Sequence, residues 1–182
     1  PQRIGMMSKP LTKEELNNTA ELILDLSKNN TAYCVYNDEE NTFDYGEINT
    51  EKLKGDFDKI ITICNFLSGL IKDHKVNVVT FEKEKLTPSL EFRFTYNKII
   101  GGVYRVVDEN GVKIGEMKSS FFIKEIMGVG NYTLLETFRY VAKKHVNIGD
   151  IINKGKGKNN HIYRAICVAI AFSLGEKNKN GK

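Results

Sequence analysis

Lys154, Lys156 and Lys158 alternate with Gly155 and Gly157 and run through Asn159-Asn160 to His161 and Arg164. Alternate residues of an extended segment share a face, so the three ammonium groups can meet one surface, and the glycines let a ligand approach the backbone closely. Fixed positive charge beside exposed N–H groups at the start of a helix is chemistry for holding phosphate. His161 and Arg164, three apart on the first turns of that helix, extend the patch. Arg139, Lys143 and Lys144, on the polar side of a preceding helix, flank it. Such a surface grips a nucleic-acid backbone without reading bases, and its grip weakens steeply with salt.

The charge distribution agrees with this placement. Residues 1–110 carry fourteen Lys/Arg against eighteen Asp/Glu, and residues 111–182 carry thirteen against five. A mildly acidic part is thus followed by a basic part suited to a polyanion. Cys34, Cys64 and Cys167 are three, far apart and in no Cys-x-x-Cys spacing, which suits a reducing, cytoplasmic setting and argues against a disulfide framework or zinc site. The longest apolar run, residues 165–174, is half the roughly 20 residues that a membrane span needs. No membrane partner is expected.

The elements that must position the basic stretch follow from periodicity. Residues 1–10 read as an added, flexible start with no leader. A capping box at Thr12-Lys13-Glu14-Glu15 opens a helix that Leu16, Ala20, Ile23 and Leu24 carry to about residue 28. Residues 32–36 and 42–48 form a hairpin around an acidic turn. Thr50 caps a helix over residues 51–73, whose apolar positions Leu53, Phe57, Ile60, Cys64, Leu67 and Ile71 form a stripe, with Ile63, Phe66 and Leu70 on a second face. Period-two patterning then predicts strands at 76–81, 90–96, 103–107 and 112–117, with a hairpin turn at 108–111. A strand at 119–126, a helix from about 134 to 145, a short strand at 149–153 and a final buried helix complete the chain. The fold class is α+β: a mixed, mostly antiparallel sheet packed with three to four helices. It divides into an acidic α/β module (11–110), a basic β-α-β-α module (111–175) and a disordered tail (176–182).

From Phe121 to Ala171 the order strand, Gly-x-Gly-Asn-Tyr, helix, short strand, basic Gly stretch, helix resembles the Alba family of small DNA- and RNA-binding proteins. Asn131-Tyr132 stands where that family opens its first helix, and Lys154-Gly155-Lys156-Gly157-Lys158 where it has a Lys-x-Arg-Gly-Arg-type stretch. The resemblance covers about a third of the chain. It implies that Lys154, Lys156 and Lys158 contact the nucleic-acid backbone, and it implies a homodimer.

Little else points to chemistry. His74, His145 and His161 sit in no metal-binding spacing, no Gly-x-Ser-x-Gly occurs, and the Lys/Gly stretch lacks P-loop spacing. Asp38-Glu39-Glu40, with Asp44 and Glu47, read as a solvated turn rather than a metal site. Phe92, Phe94 and Tyr96 around Arg93 could stack unpaired bases, although core packing is the commoner use of such a pattern. No catalytic residue, metal or cofactor is therefore expected. The expected function is a non-enzymatic nucleic-acid binder, with RNA or DNA as partner. The alternative is a protein-interaction module or inhibitor that blocks a nucleoprotein machine.

Overall fold

A computed structural model describes residues 20–37, 42–82, 89–117, 121–128 and 132–144. Its elements are β1 (Ala20–Asp25), β2 (Asn30–Asn37), β3 (Thr42–Asn49), α1 (Asp56–Asp73), β4 (Val76–Glu82), α2 (Leu90–Glu109), β5 (Lys113–Met117), α3 (Phe121–Met127) and α4 (Leu134–Lys144). The five strands form one sheet in the order β3-β2-β1-β4-β5. The β1–β2 and β2–β3 pairs are antiparallel, and the β1–β4 and β4–β5 pairs are parallel. The sheet is mixed and the class α+β. β5, beyond the expected module boundary at residue 110, is hydrogen-bonded to β4 within it.

β1 replaces the helix expected through residues 20–28. All six of its residues are buried, and a strand covered on both faces reads as a continuous apolar run rather than an alternating one. In Ala20-Glu21-Leu22-Ile23-Leu24 that run coincides with helical spacing. The capping box at Thr12–Glu15 lies outside the described residues. The expected hairpin is present as β2 and β3.

α1 begins five residues later than expected, with Gly55 as N-cap. Thr50 instead ties down the β1–β2 turn: its hydroxyl donates to Lys28 O, and its N–H donates to Asn29 O at 2.8 Å. The buried face of α1 is Ile63, Leu67, Leu70 and Ile71, while Phe57 is 75% exposed. Leu67 and Ile71 of the expected stripe and Ile63 and Leu70 of the second face thus share the core contact, with Ile60 and Cys64 packed against it.

The largest correction is α2, which takes the place of two expected strands and the hairpin turn. Ser89 Oγ accepts from Phe92 N–H at 3.2 Å and caps it. Tyr96, Ile99, Ile100, Val103, Val106 and Val107 then recur at helical spacing and are buried. The alternation Phe92, Phe94, Tyr96 was misleading because Phe94 is 61% exposed. The supposed turn is the helix end: Gly111 takes φ +65°, and Val112 N–H bonds to Val107 O at 3.0 Å. Leu22, Leu24, Val35, Val79 and Phe81 of the sheet share one core with Ile63, Leu67, Ile99 and Val103 of α1 and α2.

The strand expected at 119–126 is also a helix, α3. Ile126 is buried, with Ile123 and Met127 half-buried at i−3 and i+1, and Gly128, at φ +77°, donates its N–H to Lys124 O at 2.8 Å and ends the helix. α4 matches the expected helix closely. None of the described helices is long and apolar enough to cross a membrane.

Candidate functional site at the strand ends

β1 and β4 are parallel neighbours in the middle of the sheet, in the register Leu22↔Val79, Ile23↔Thr80, Leu24↔Phe81. The next residue of each strand, and the last, is acidic: Asp25 on β1 and Glu82 on β4. Both hold the positions two beyond the buried pair Ile23 and Thr80. In open α/β sheets this carboxyl edge of parallel strands is where ligands bind. Asp25 is 4% exposed, and a carboxylate so buried is stable only where neighbouring groups compensate its charge.

The chain after Asp25 is held firmly. Ser27 N–H donates to Thr31 Oγ1 at 3.1 Å, and that hydroxyl donates back to Ser27 O at 2.7 Å. Lys28 Nζ lies 3.1 Å from Asp56 Oδ1 in the first turn of α1, and the hydrogen bond from Lys28 is the main cause that holds the Asp56 carboxyl below its ordinary pKa. Lys59, only 7% exposed, donates from Nζ to Asn29 Oδ1 at 2.7 Å. Thr95 Oγ1 of α2 reaches Asp56 Oδ2 at 3.4 Å. Lys28 and Asn29 are thereby fixed to α1, which Asp56 in turn links to α2, and this makes the end of β1 a rigid platform.

The basic residues named from sequence are not part of this geometry. Arg139 and Lys143 are exposed on α4, and Lys144 belongs to the same helix. Lys154, Lys156, Lys158, His161 and Arg164 lie outside the described residues. α4 itself starts with a capping box: Thr133 N–H and Oγ1 donate to Glu136 Oε2 at 2.8 and 2.7 Å, and Glu136 N–H donates to Thr133 Oγ1 at 3.2 Å. The backbone bond from Thr133, then its hydroxyl, hold the Glu136 carboxyl below its ordinary pKa. The folded state thus favours the ionised form. Its contribution is present above the unfolded glutamate value and is lost as pH falls through the lower, folded one. Urea unfolding followed across acidic pH is expected to show a smaller acid-dependent loss for Glu136→Gln than for the parent chain.

Asp25 and Glu82 were absent from the expected site. Each closes an apolar β run, Ile23-Leu24-Asp25 and Val79-Thr80-Phe81-Glu82. That signal becomes visible only when both runs are read as buried parallel strands.

No protein-family model matches the sequence, and no curated protein matches it. Solved structures do. Thermus thermophilus RuvC superposes with a TM-score of 0.71 at 10% identity, over 88% of this chain and 97% of that one. The yeast mitochondrial Holliday junction resolvase gives 0.64 at 11% identity, over 86% and 78%. The Fowlpox virus resolvase, in complex with Holliday junction DNA, gives 0.57 at 15% identity, over 86% and 99%. The fold is that of the RuvC-like Holliday junction resolvases. What is shared at these identities is the fold, of the RNase H-like type.

Two expectations fall with this finding. The Alba-like unit needs a strand where α3 stands, and the structures that superpose on the chain are RuvC-like instead. The non-enzymatic binder, with its inhibitor alternative, is overturned too, since the neighbours are resolvases and the RuvC-like sheet brings two acidic residues to one edge. Among the described residues, no three His, Cys, Asp or Glu side chains gather as a metal cluster, and Cys34 and Cys64 are not in a disulfide.

Proposed function

We propose that the chain is a metal-dependent endonuclease that cuts branched DNA of the four-way junction type. One observation carries the reading: Asp25 and Glu82 end adjacent parallel strands of a RuvC-like sheet, at its ligand-binding edge. The residues present fit a divalent cation. Mg²⁺ is commonly held by only one or two carboxylates, with waters and substrate phosphates completing the shell, so Asp25 and Glu82 suffice as protein donors. Thr80, on β4 two residues before Glu82, is fully buried, and its Oγ1 has no hydrogen-bond partner among the described residues, which suits a hydroxyl that meets a ligand shell. When bound, such a cation polarises a phosphoryl oxygen and lowers the pKa of water.

The chain's own residues divide the remaining work. Asp25, anchored by the fixed turn at 27–29, presents an oxygen donor in a set direction, so little reorganisation is needed during reaction. Arg139, Lys143 and Lys144 on α4, with Lys154, Lys156, Lys158, His161 and Arg164, hold the phosphates that flank the one attacked. The excess of Lys/Arg after residue 110 supports that role.

The test compares a synthetic four-way junction with a linear duplex of the same sequence. The junction is expected to bind more tightly, with affinity falling steeply as salt rises, and to be cut only when Mg²⁺ or Mn²⁺ is added. Equal binding of both substrates, or no cutting with either metal, would overturn the reading.

A further inference from the structure

Asp25 is the last residue of β1, and it pairs with Ala32 of β2. Beyond it the chain turns through residues 26–29 into β2. The backbone of Asp25 is therefore set by the ladder on one side and by that turn on the other, and what holds the turn helps decide where the carboxylate points.

Two buried polar residues from distant elements meet on Asn29 of the turn. Thr50, directly after the end of β3, donates its N–H to Asn29 O at 2.8 Å and its hydroxyl to Lys28 O. Lys59 of α1 donates from Nζ to Asn29 Oδ1 at 2.7 Å. The main chain and the side chain of Asn29 are thus gripped separately. Thr31 closes the other limb through its paired bonds with Ser27.

Both grips run against local stability. Thr50 stands where the sequence calls for a helix cap, yet its hydroxyl goes to the turn, and α1 starts from Gly55 with no side-chain cap. Lys59 gives up the hydration of an ammonium for a bond to a neutral amide, at a buried position that an apolar side chain would fill without that cost. Polar groups kept inside on such terms serve to select one conformation.

We infer that Thr50 and Lys59 are positioning residues for the divalent cation proposed at Asp25 and Glu82. Their grip on Asn29 fixes the turn, and the turn fixes the Asp25 carboxylate. The inference rests on the metal-dependent function proposed above. Neither residue is a ligand, and each acts through the backbone between Asn29 and Asp25. Groups that orient a metal ligand from behind govern affinity nearly as strongly as the ligand itself.

Thr50→Val keeps the shape and removes the hydroxyl, Thr50→Ser keeps the hydroxyl, and Lys59→Met keeps the stem without the ammonium. Mn²⁺ binding by the full chain without DNA is read from the loss of the free-ion electron paramagnetic resonance signal, with Asp25→Asn as background. Thr50→Val and Lys59→Met are each expected to raise the dissociation constant about tenfold, and Thr50→Ser to restore the parent value. The Mn²⁺ concentration for half-maximal single-turnover cleavage of a four-way junction is expected to rise in parallel. Junction binding without metal is expected to stay unchanged, since phosphate contacts carry it. If Thr50→Val does not fold, Lys59→Met decides alone. Variants that melt earlier but keep the parental Mn²⁺ affinity overturn the positioning role and leave the junction-cutting function standing. A parent chain that binds no more Mn²⁺ than Asp25→Asn and cuts no junction overturns both.

Discussion

Asp25→Asn is expected to slow cleavage of a four-way junction by about 10³-fold or more, while junction binding stays within about twofold of the parent. The substitution keeps shape and hydrogen-bonding capacity but removes the negative charge. Asp25 is 4% exposed at the end of β1, so its position is fixed by the fold. In the proposed reading binding is carried instead by the Lys and Arg residues after position 110, so the loss falls on the chemical step. Single-turnover cleavage with excess protein, beside a gel-shift titration, separates the two quantities. The melting temperature is expected to stay near the parent value, because the substitution keeps shape and hydrogen-bonding capacity. A variant that cuts at the parental rate would remove Asp25 from the site. A variant that melts early would show instead that the carboxylate holds the strand end.

Gly102→Ala is expected to destabilise the fold by about 1–3 kcal/mol, lowering the melting temperature by about 2–4 °C for each kcal/mol. Gly102 faces α1 at close range: a Cβ there would come 2.7 Å from Cys64 Sγ and 3.2 Å from Ile60 Cγ2. The neighbouring Gly101 provides the control, since a Cβ there meets nothing within 4 Å. Gly101→Ala is expected to stabilise by roughly 0.5–1 kcal/mol, the ordinary gain from alanine in a helix. Opposite signs for adjacent glycines would establish that the α1–α2 contact, rather than helix propensity, decides. Cys64→Ala combined with Gly102→Ala is expected to recover part of the loss, because the sulfur is the nearest obstacle. Thermal unfolding of the three variants beside the parent chain checks all of this.

Much of the fold was legible wherever one physical signal dominated. The hairpin of β2 and β3 follows from two β runs around an acidic turn. α4 follows from a single apolar face, and α1 from its long stripe, although Thr50 turned out to secure the β1–β2 turn and Gly55 to cap the helix. The errors occurred where two periods coincided. Residues 90–96 alternate like a strand, yet Ser89 caps them as a helix, and the core needs Tyr96, Ile99 and Val103 on one side. Residues 20–25 carry helical spacing, yet a strand between two others must be apolar on both faces.

The candidate site was hidden for the same reason. A basic stretch announces itself by composition, and Lys154, Lys156 and Lys158 are conspicuous in any reading. Asp25 and Glu82 are two ordinary acidic residues, 57 positions apart, that become a pair only through the parallel register of β1 and β4. From the chain alone come the α+β class, the charge asymmetry and the basic stretch suited to phosphate, because these rest on composition and local periodicity. Only the tertiary structure decided the RuvC-like sheet order, the acidic pair at its edge and the grip on the turn beside it. Register and strand order arise from long-range burial, and no local pattern records which distant strand a residue will lie beside.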